Sequence, residues 1–318
     1  MRTLSYIFVG LTLTAALASC TQKKNKDGRT DTYSSGAISF ASDESFSPVI
    51  EEERELFESI YKDAKLTPIY TNESEAVQMV IDGKVSMAVT SRDYKPEELA
   101  KLKANKQFPR TIKFGYDGLA LIENKQNTDS CISVKDIRKI LLGEVTRWDQ
   151  IYPGSKNGEI TVVFDNPKSS TVHFAEDSIL GGKPISSPNV MAVKKVDEVI
   201  KYVEENKGAI GIIGSNWLND KRDSTNLTFR KEIRPMAVTN LDVANVRNSY
   251  KPYQYYFYND SYPLVRTLYI LLNDTHMGLP TGFSNFIISQ DKGQMIVLKA
   301  GLLPAYGNLT VRKVHVTD

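Results

Sequence analysis

Gly115-Tyr116-Asp117-Gly118-Leu119-Ala120-Leu121-Ile122-Glu123 stands between two series of alternating elements. Its apolar run, 118–123, predicts a strand, because it is short, continuous and opened by glycine. Working back from it, residues 37–40 alternate and predict a strand. A helix is expected over 49–62, capped by Asp43 or Ser45, with acidic residues early where the helix dipole favours them. A strand at 66–70 carries Pro68, which suits a sheet edge or a strand end because proline cannot donate to the ladder. A helix at 74–82 is stopped by Gly83, a strand follows at 85–90, and a further helix spans 96–106.

Working forward, the series restarts at Tyr116. An amphipathic helix at 134–142 ends at Gly143. A β-branched strand follows at 160–164, then a helix opened by Ser170 or Thr171, then a helix at 196–206 stopped by Lys207-Gly208. Strands are expected at 209–213 and 267–272, helices across 283–300, and a stop at 302–304. Strand-helix alternation predicts an α/β protein with a largely parallel sheet. With 318 residues, 41% hydrophobic and 25% charged, the chain is long enough for two domains of ordinary soluble composition.

The N-terminus reads differently. Arg2 precedes an apolar run over 4–18, shorter than the roughly 20 residues that span a bilayer. This is the layout of a signal peptide, expected at 1–19. The run ends in Leu17-Ala18-Ser19-Cys20, which resembles a bacterial lipobox and implies lipidation of Cys20 and a membrane anchor in the cell envelope. Residues 20–35 are polar and lysine-rich, as expected for the lipidated Cys and a flexible tether. Lys23, Lys24 and Lys26 fit a solvated linker better than a nucleic-acid surface, and a net charge of +2 supplies no broad attraction for nucleic acid. With Cys20 lipidated, Cys131 has no disulfide partner and reads as a small buried side chain.

Further segments follow 115–122 in order: Ile132-Ser133-Val134-Lys135-Asp136-Ile137, Leu142-Gly143-Glu144-Val145-Thr146-Arg147-Trp148-Asp149-Gln150-Ile151, and Gly208-Ala209-Ile210-Gly211-Ile212. Tyr262-Pro263-Leu264-Val265-Arg266-Thr267-Leu268-Tyr269 and Gly293-Gln294-Met295-Ile296 through Pro304 complete the set. Together and in this order they resemble the phosphate-binding proteins of ABC transporters, which have the type II periplasmic binding fold. The resemblance implies two α/β lobes, each a mixed sheet flanked by helices, joined by crossing strands with the ligand between them. It assigns 36–116 plus 267–318 to lobe one and 117–266 to lobe two. It also implies a monomer without cofactor or metal that captures phosphate or a similar small oxyanion and offers it to an ABC permease, with no catalysis. The alternative is a lipoprotein of the same fold acting as a sensor or assembly partner, or binding another oxyanion or an organic phosphate.

An oxyanion taken from water needs inward-pointing donors, and strand-to-helix turns supply backbone N–H groups and hydroxyls. Ser169-Ser170-Thr171 is such a turn and aligns with the family's Ser-Gly-Thr loop, although an ordinary helix cap has the same local form. The resemblance adds Ser45, Phe46, Ser74, Ser91 and Arg92 from the other lobe, with Asp93 or Asp165 as proton acceptor. Departures are plain: Asp165 stands where the family usually has an arginine, Ser170 replaces the glycine, and Glu44, Glu73 and Glu75 bring carboxylates near the expected anion. Arg92 is the expected replacement cation; its other reading is an ion pair with Asp93 or a nearby glutamate. The three histidines, His173, His276 and His315, show no metal spacing, and His173 reads as a capping or surface residue. The cluster Tyr253, Tyr255, Tyr256, Phe257 and Tyr258 alternates like a strand face or interlobe packing; a stacking or partner surface is the other reading.

Overall fold

The computed structural model describes residues 29–219 and 230–307. Cys20 and the expected signal peptide lie outside the described residues. The chain opens with β1 (Gly36–Asp43), α1 (Ser47–Ile60), β2 (Ala64–Thr71), α2 (Glu73–Ile81), β3 (Met87–Thr90) and α3 (Pro96–Ala104). It continues through β4 (Arg110–Asn124), β5 (Cys131–Ser133), α4 (Val134–Leu142), β6 (Thr161–Phe164), α5 (Ser170–Phe174), β7 (Val190–Ala192), α6 (Val196–Glu205) and β8 (Ala209–Gly214). Then come β9 (Ile233–Pro235), β10 (Ala237–Thr239), α7 (Gln254–Tyr258), β11 (Val265–Leu272), α8 (Leu279–Ile287), α9 (Gly293–Lys299) and β12 (Leu303–Pro304).

The main sheet runs β2-β1-β3-β11-β4-β8-β6-β7. Two parallel groups, β2-β1-β3 and β8-β6-β7, flank an antiparallel pair, β11 and β4. The sheet is therefore mixed, where local alternation alone suggested largely parallel pairing. The reason is that β4 and β11 carry the chain out of one half and back again. Phe114 of β4 belongs to an apolar core with Phe40, Phe57, Leu268 and Phe283. Leu119 and Leu121 of the same strand belong to a second core with Trp148, Phe164 and Ile210. One strand thus feeds two cores, which makes this a two-lobed α/β fold with crossing strands.

Local chemistry explains the elements. In α4, Ile137, Ile140 and Leu141 fall on one buried face, each stabilising by roughly 1.5–3 kcal/mol. The Ser133 side chain accepts from the Asp136 N–H at its start, and Gly143, at φ +79°, ends it in a conformation that favours glycine. Pro68 sits in β2, which is the edge strand. Cys131 is free and buried.

Two expectations change. The tyrosine cluster is not a strand: Gln254–Tyr258 is α7, and its Gln254 amide donates to the carbonyls of Leu298 and Leu302. Phe257 is buried directly against Gly118, where a Cβ would come within 2.4 Å of the ring. The glycine at the start of the apolar run therefore gives this aromatic its seat. Residues 29–35, expected in the tether, are held on the body. Arg29 donates to Asp31, Ser86 and Asp274, and the Asp31 carboxylate accepts from the Leu279 N–H at 2.7 Å. A polar composition looked like a linker, but these polar groups have buried partners at the start of α8.

Candidate functional site

The C-terminal ends of β1 and β6 face each other across the two cores. Asp43 ends β1 and caps the short 3-10 turn Glu44–Phe46. Its Oδ1 accepts from the Ser45 N–H at 2.8 Å and the Ser45 hydroxyl at 2.6 Å. After β6, Ser169 caps α5, its side chain accepting from the Val172 N–H; the helix continues as a π-helical stretch, Ala175–Ile179. The Ser45 and Ser170 hydroxyls lie 3.0 Å apart, and both residues are fully buried. The Asn216 amide and Trp217 indole both donate to the Ser45 carbonyl, at 3.0 and 2.9 Å, fixing the turn from the opposite core.

Between these turns lies Arg266, 3% exposed. Its Nε and Nη2 donate to Asp117 Oδ2 at 2.9 and 2.7 Å, and its Nη1 donates to the Ser170 hydroxyl at 2.7 Å. Its guanidinium lies 4.8 Å from the Phe46 ring centroid. Asp117 Oδ1 is taken by the Ser215 N–H and hydroxyl. Gly214 makes room for this pair: a Cβ there would come within 3.0 Å of Asp117 Oδ2 and 3.1 Å of Arg266 Nη2. Arg266 faces Asp117 in the β11–β4 register, so strand pairing sets the ion pair.

A cavity of about 330 Å³ opens beside this centre, lined by Glu73, Ser91, Arg92, Asp93, His173 and Arg266 among others. Glu73, at 1% exposure, accepts from the Ser91 N–H and hydroxyl and lies 3.1 Å from His173 Nδ1. Burial pushes the Glu73 carboxyl up, but the hydrogen bonds from His173 and Ser91 outweigh it and hold it below the ordinary carboxylate range. The same contact with Glu73 raises His173 against its partial burial. Burial, with Glu73 and Asp165 nearby, pushes Asp43 up to about 6. Burial likewise raises Asp165, although Thr171 and Ser169 bond to it.

The sequence-predicted residues divide. Ser45, Phe46, Ser169, Ser170 and Thr171 converge on one buried centre, and Asp165 joins them by accepting from the Thr171 hydroxyl at 2.6 Å. Ser91 lines the cavity, its hydroxyl committed to Glu73. Arg92 is at the cavity rim, its Nη1 and Nη2 donating to Glu98 at 2.8 and 2.9 Å, which is the ion-pair alternative. Asp93 accepts from the Tyr94 N–H and the Thr111 hydroxyl. Ser74 is exposed on α2, because Asn72, not Ser74, caps that helix, and the side chain turned inward is Glu73. Glu75 is exposed as well. His173, read as a cap or surface residue, instead pairs across to Glu73. Sequence reasoning missed Arg266, Asp117 and Asp43. Arg266 occupies the buried phase of β11, alternating with Leu268 and Ile270, and a charge in that phase demands a partner.

The centre offers hydroxyl, amide and guanidinium donors with carboxylates behind them. Such a set suits a small oxyanion, above all one that carries a proton. Among the described residues, no group of three or more His, Cys, Asp or Glu side chains is placed to hold a metal ion.

Comparison with known proteins agrees with this architecture. The phosphate-binding protein PstS of Borreliella burgdorferi is 22% identical over 304 residues, covering 93% of this chain and 97% of its own. PstS of Staphylococcus saprophyticus is 23% identical over 253 residues, covering 78% of this chain and 74% of its own. A Clostridium perfringens substrate-binding protein with bound phosphate superposes with a TM-score of 0.71 at 22% identity, covering 85% of this chain and all of that one. The resemblance to phosphate ABC-transporter binding proteins read from the sequence is thus borne out. Residues 27–291 match the model of the PBP superfamily domain, and the chain belongs to that superfamily.

Proposed function

We propose that this protein captures phosphate or a similar small oxyanion between its lobes and delivers it to an ABC permease, without catalysis. One observation carries the reading. Ser45 and Ser170, from turns on opposite cores, meet in a buried centre where Arg266 donates to Ser170. Ligand that contacts both sides favours the closed arrangement by its differential affinity. The relatives named phosphate-binding protein PstS support phosphate as the ligand, and the Clostridium perfringens neighbour, a phosphate ABC-transporter substrate-binding protein, supports a permease as the partner. We take 36–116 plus 267–318 as lobe one and 117–266 as lobe two, a division that the two apolar cores support.

The carboxylates refine the ligand. Asp43, Asp165 and Asp117 are buried around Arg266, and Glu73 is buried beside them against His173. A fully ionised oxyanion there meets repulsion, whereas a hydrogen-bearing one can donate to a carboxylate, so phosphate should be preferred to sulfate. The test is thermal unfolding of the mature protein with phosphate, sulfate, molybdate and phosphonates. Phosphate at a hundred-fold excess over its Kd should add about 2.7 kcal/mol. The buried carboxylates also favour a second reading, a lipoprotein of the same fold that acts as a sensor or assembly partner. Stabilisation by none of these oxyanions selects it.

The protein is proposed to sit in a bacterial cell envelope, anchored through Cys20. Leu17-Ala18-Ser19-Cys20 supports this, and among the described residues no helix is long and apolar enough to cross a membrane. Radioactive palmitate should label the wild type and not Cys20→Ala; labelling of both, or of neither, removes the anchor.

A further inference from the structure

We propose that the Asp43 carboxylate is a built-in stand-in for the captured anion, holding the ligand-free lobes closed and competing with the ligand for its donors. This rests on the oxyanion reading of the same centre. The geometry is direct. Oδ1 takes the Ser45 N–H and hydroxyl, and Oδ2 takes the Ser170 N–H at 3.1 Å. Ser45 belongs to the turn after β1, and Ser170 opens α5 on the opposite core. One carboxylate, 1% exposed, therefore saturates donors from both sides. A carboxylate presents two oxygens on one centre, as one edge of a tetrahedral oxyanion does. An incoming oxyanion needs the donors that Asp43 already occupies.

The consequence is linkage to protons. Two anions in one dry seat repel, so the arriving ligand must expel Asp43 or leave it protonated. The surroundings bias toward protonation. Glu73 faces Asp43 from α2 and Asp165 from the end of β6, while Glu44 is its chain neighbour. Arg266 from β11, itself bonded to Asp117 of β4, and His173 from α5 are the opposing cations. The carboxyl already lies near 6, raised by burial, Glu73 and Asp165. Capture that takes up one proton weakens by up to about tenfold per pH unit above that value.

The experiment uses the mature chain as wild type, Asp43→Gly and Asp43→Asn, each first checked for cooperative unfolding. Asn keeps a capping acceptor and guards against a folding failure in the glycine variant. Small-angle scattering without ligand reads closure. Calorimetry with inorganic phosphate at pH 6 and pH 8 reads competition. The proposal expects a compact ligand-free wild type and a larger radius of gyration in the variants. It also expects about tenfold tighter phosphate binding by the variants at pH 8, with a flatter dependence between the two pH values. Ligand-free variants as compact as the wild type overturn it, and so does wild-type phosphate binding that neither variant improves. If no protein binds phosphate, the oxyanion reading fails on its own, while scattering still decides whether Asp43 closes the lobes.

Discussion

Two arginines line the same cavity, and they differ in burial and in the groups they hold. Arg266 lies in the buried phase of a crossing strand, 3% exposed, bonded to Asp117 and Ser170 and over the Phe46 ring. Arg92 lies in the loop after β3, its side chain 23% exposed and forked onto Glu98, itself 18% exposed. Only Arg266 touches a hydroxyl of the converging turns. A cation that water also reaches contributes little to a fold. A buried one cannot be removed without stranding its partner.

The largest expected effect breaks that comparison at its stronger end. Arg266→Gln leaves Asp117 buried with its main partner gone. Removing one partner of a buried ion pair costs about 3–5 kcal/mol, so the urea midpoint should fall sharply. Phosphate binding should vanish with it. Arg266→Lys should recover part of the stability, because the charge returns, but not the binding, because lysine lacks the fork that reaches Asp117 and Ser170 together. Full phosphate affinity in a folded Arg266→Gln would move the positive centre elsewhere.

The next effect sharpens the comparison, because His173 joins the two regions. It meets Glu73, which lies 3.9 Å from Arg92, and it follows Ser170 on α5. Its pKa is raised by the hydrogen bond to Glu73, so its stabilisation is full below its ordinary 6.5 and is lost as pH rises through the folded value. Glu73 is held below its ordinary 4.5, so its share is present above 4.5 and lost as pH falls further. The pair should be strongest between about 4.5 and 6.5. His173→Gln should cost about 1 kcal/mol near pH 5.5, discounted for partial solvent access, and less at pH 8. A cost that grows toward pH 8 would contradict the pairing.

The same contrast shows what was legible in the sequence. Helices and strands were readable where spacing alone decides them: 134–142 up to its terminal glycine, and Pro68 on an edge strand. Ser45 and Ser169–Thr171 were readable because a hydroxyl at a strand-to-helix turn is a local pattern. Arg266 was not read, because its role depends on a strand register with Asp117, 149 residues away. The alternation of Arg266 with Leu268 and Ile270 was nevertheless a usable signal for a buried charge. The tyrosine cluster misled for the opposite reason: five residues are too few to separate a helical turn from a strand by periodicity. Arg29 and Asp31 looked like linker because composition says nothing about partners 245 and 248 residues away.

The smallest effect is expected at Arg92. Arg92→Gln removes the fork onto Glu98, a partly exposed pair worth about 0–1 kcal/mol, so stability should barely move. Glu73 keeps its bonds from Ser91 and His173, so the buried side of the cavity stays satisfied. Equilibrium affinity for phosphate should change by less than about threefold. What should change is the approach: a rim charge acts on the encounter rate and its salt dependence more than on the bound state. Stopped-flow association at low and moderate salt should show a slower, less salt-sensitive on-rate in Arg92→Gln, with an unchanged off-rate. A large rise in off-rate would place Arg92 on the ligand and erase the distinction between the two arginines.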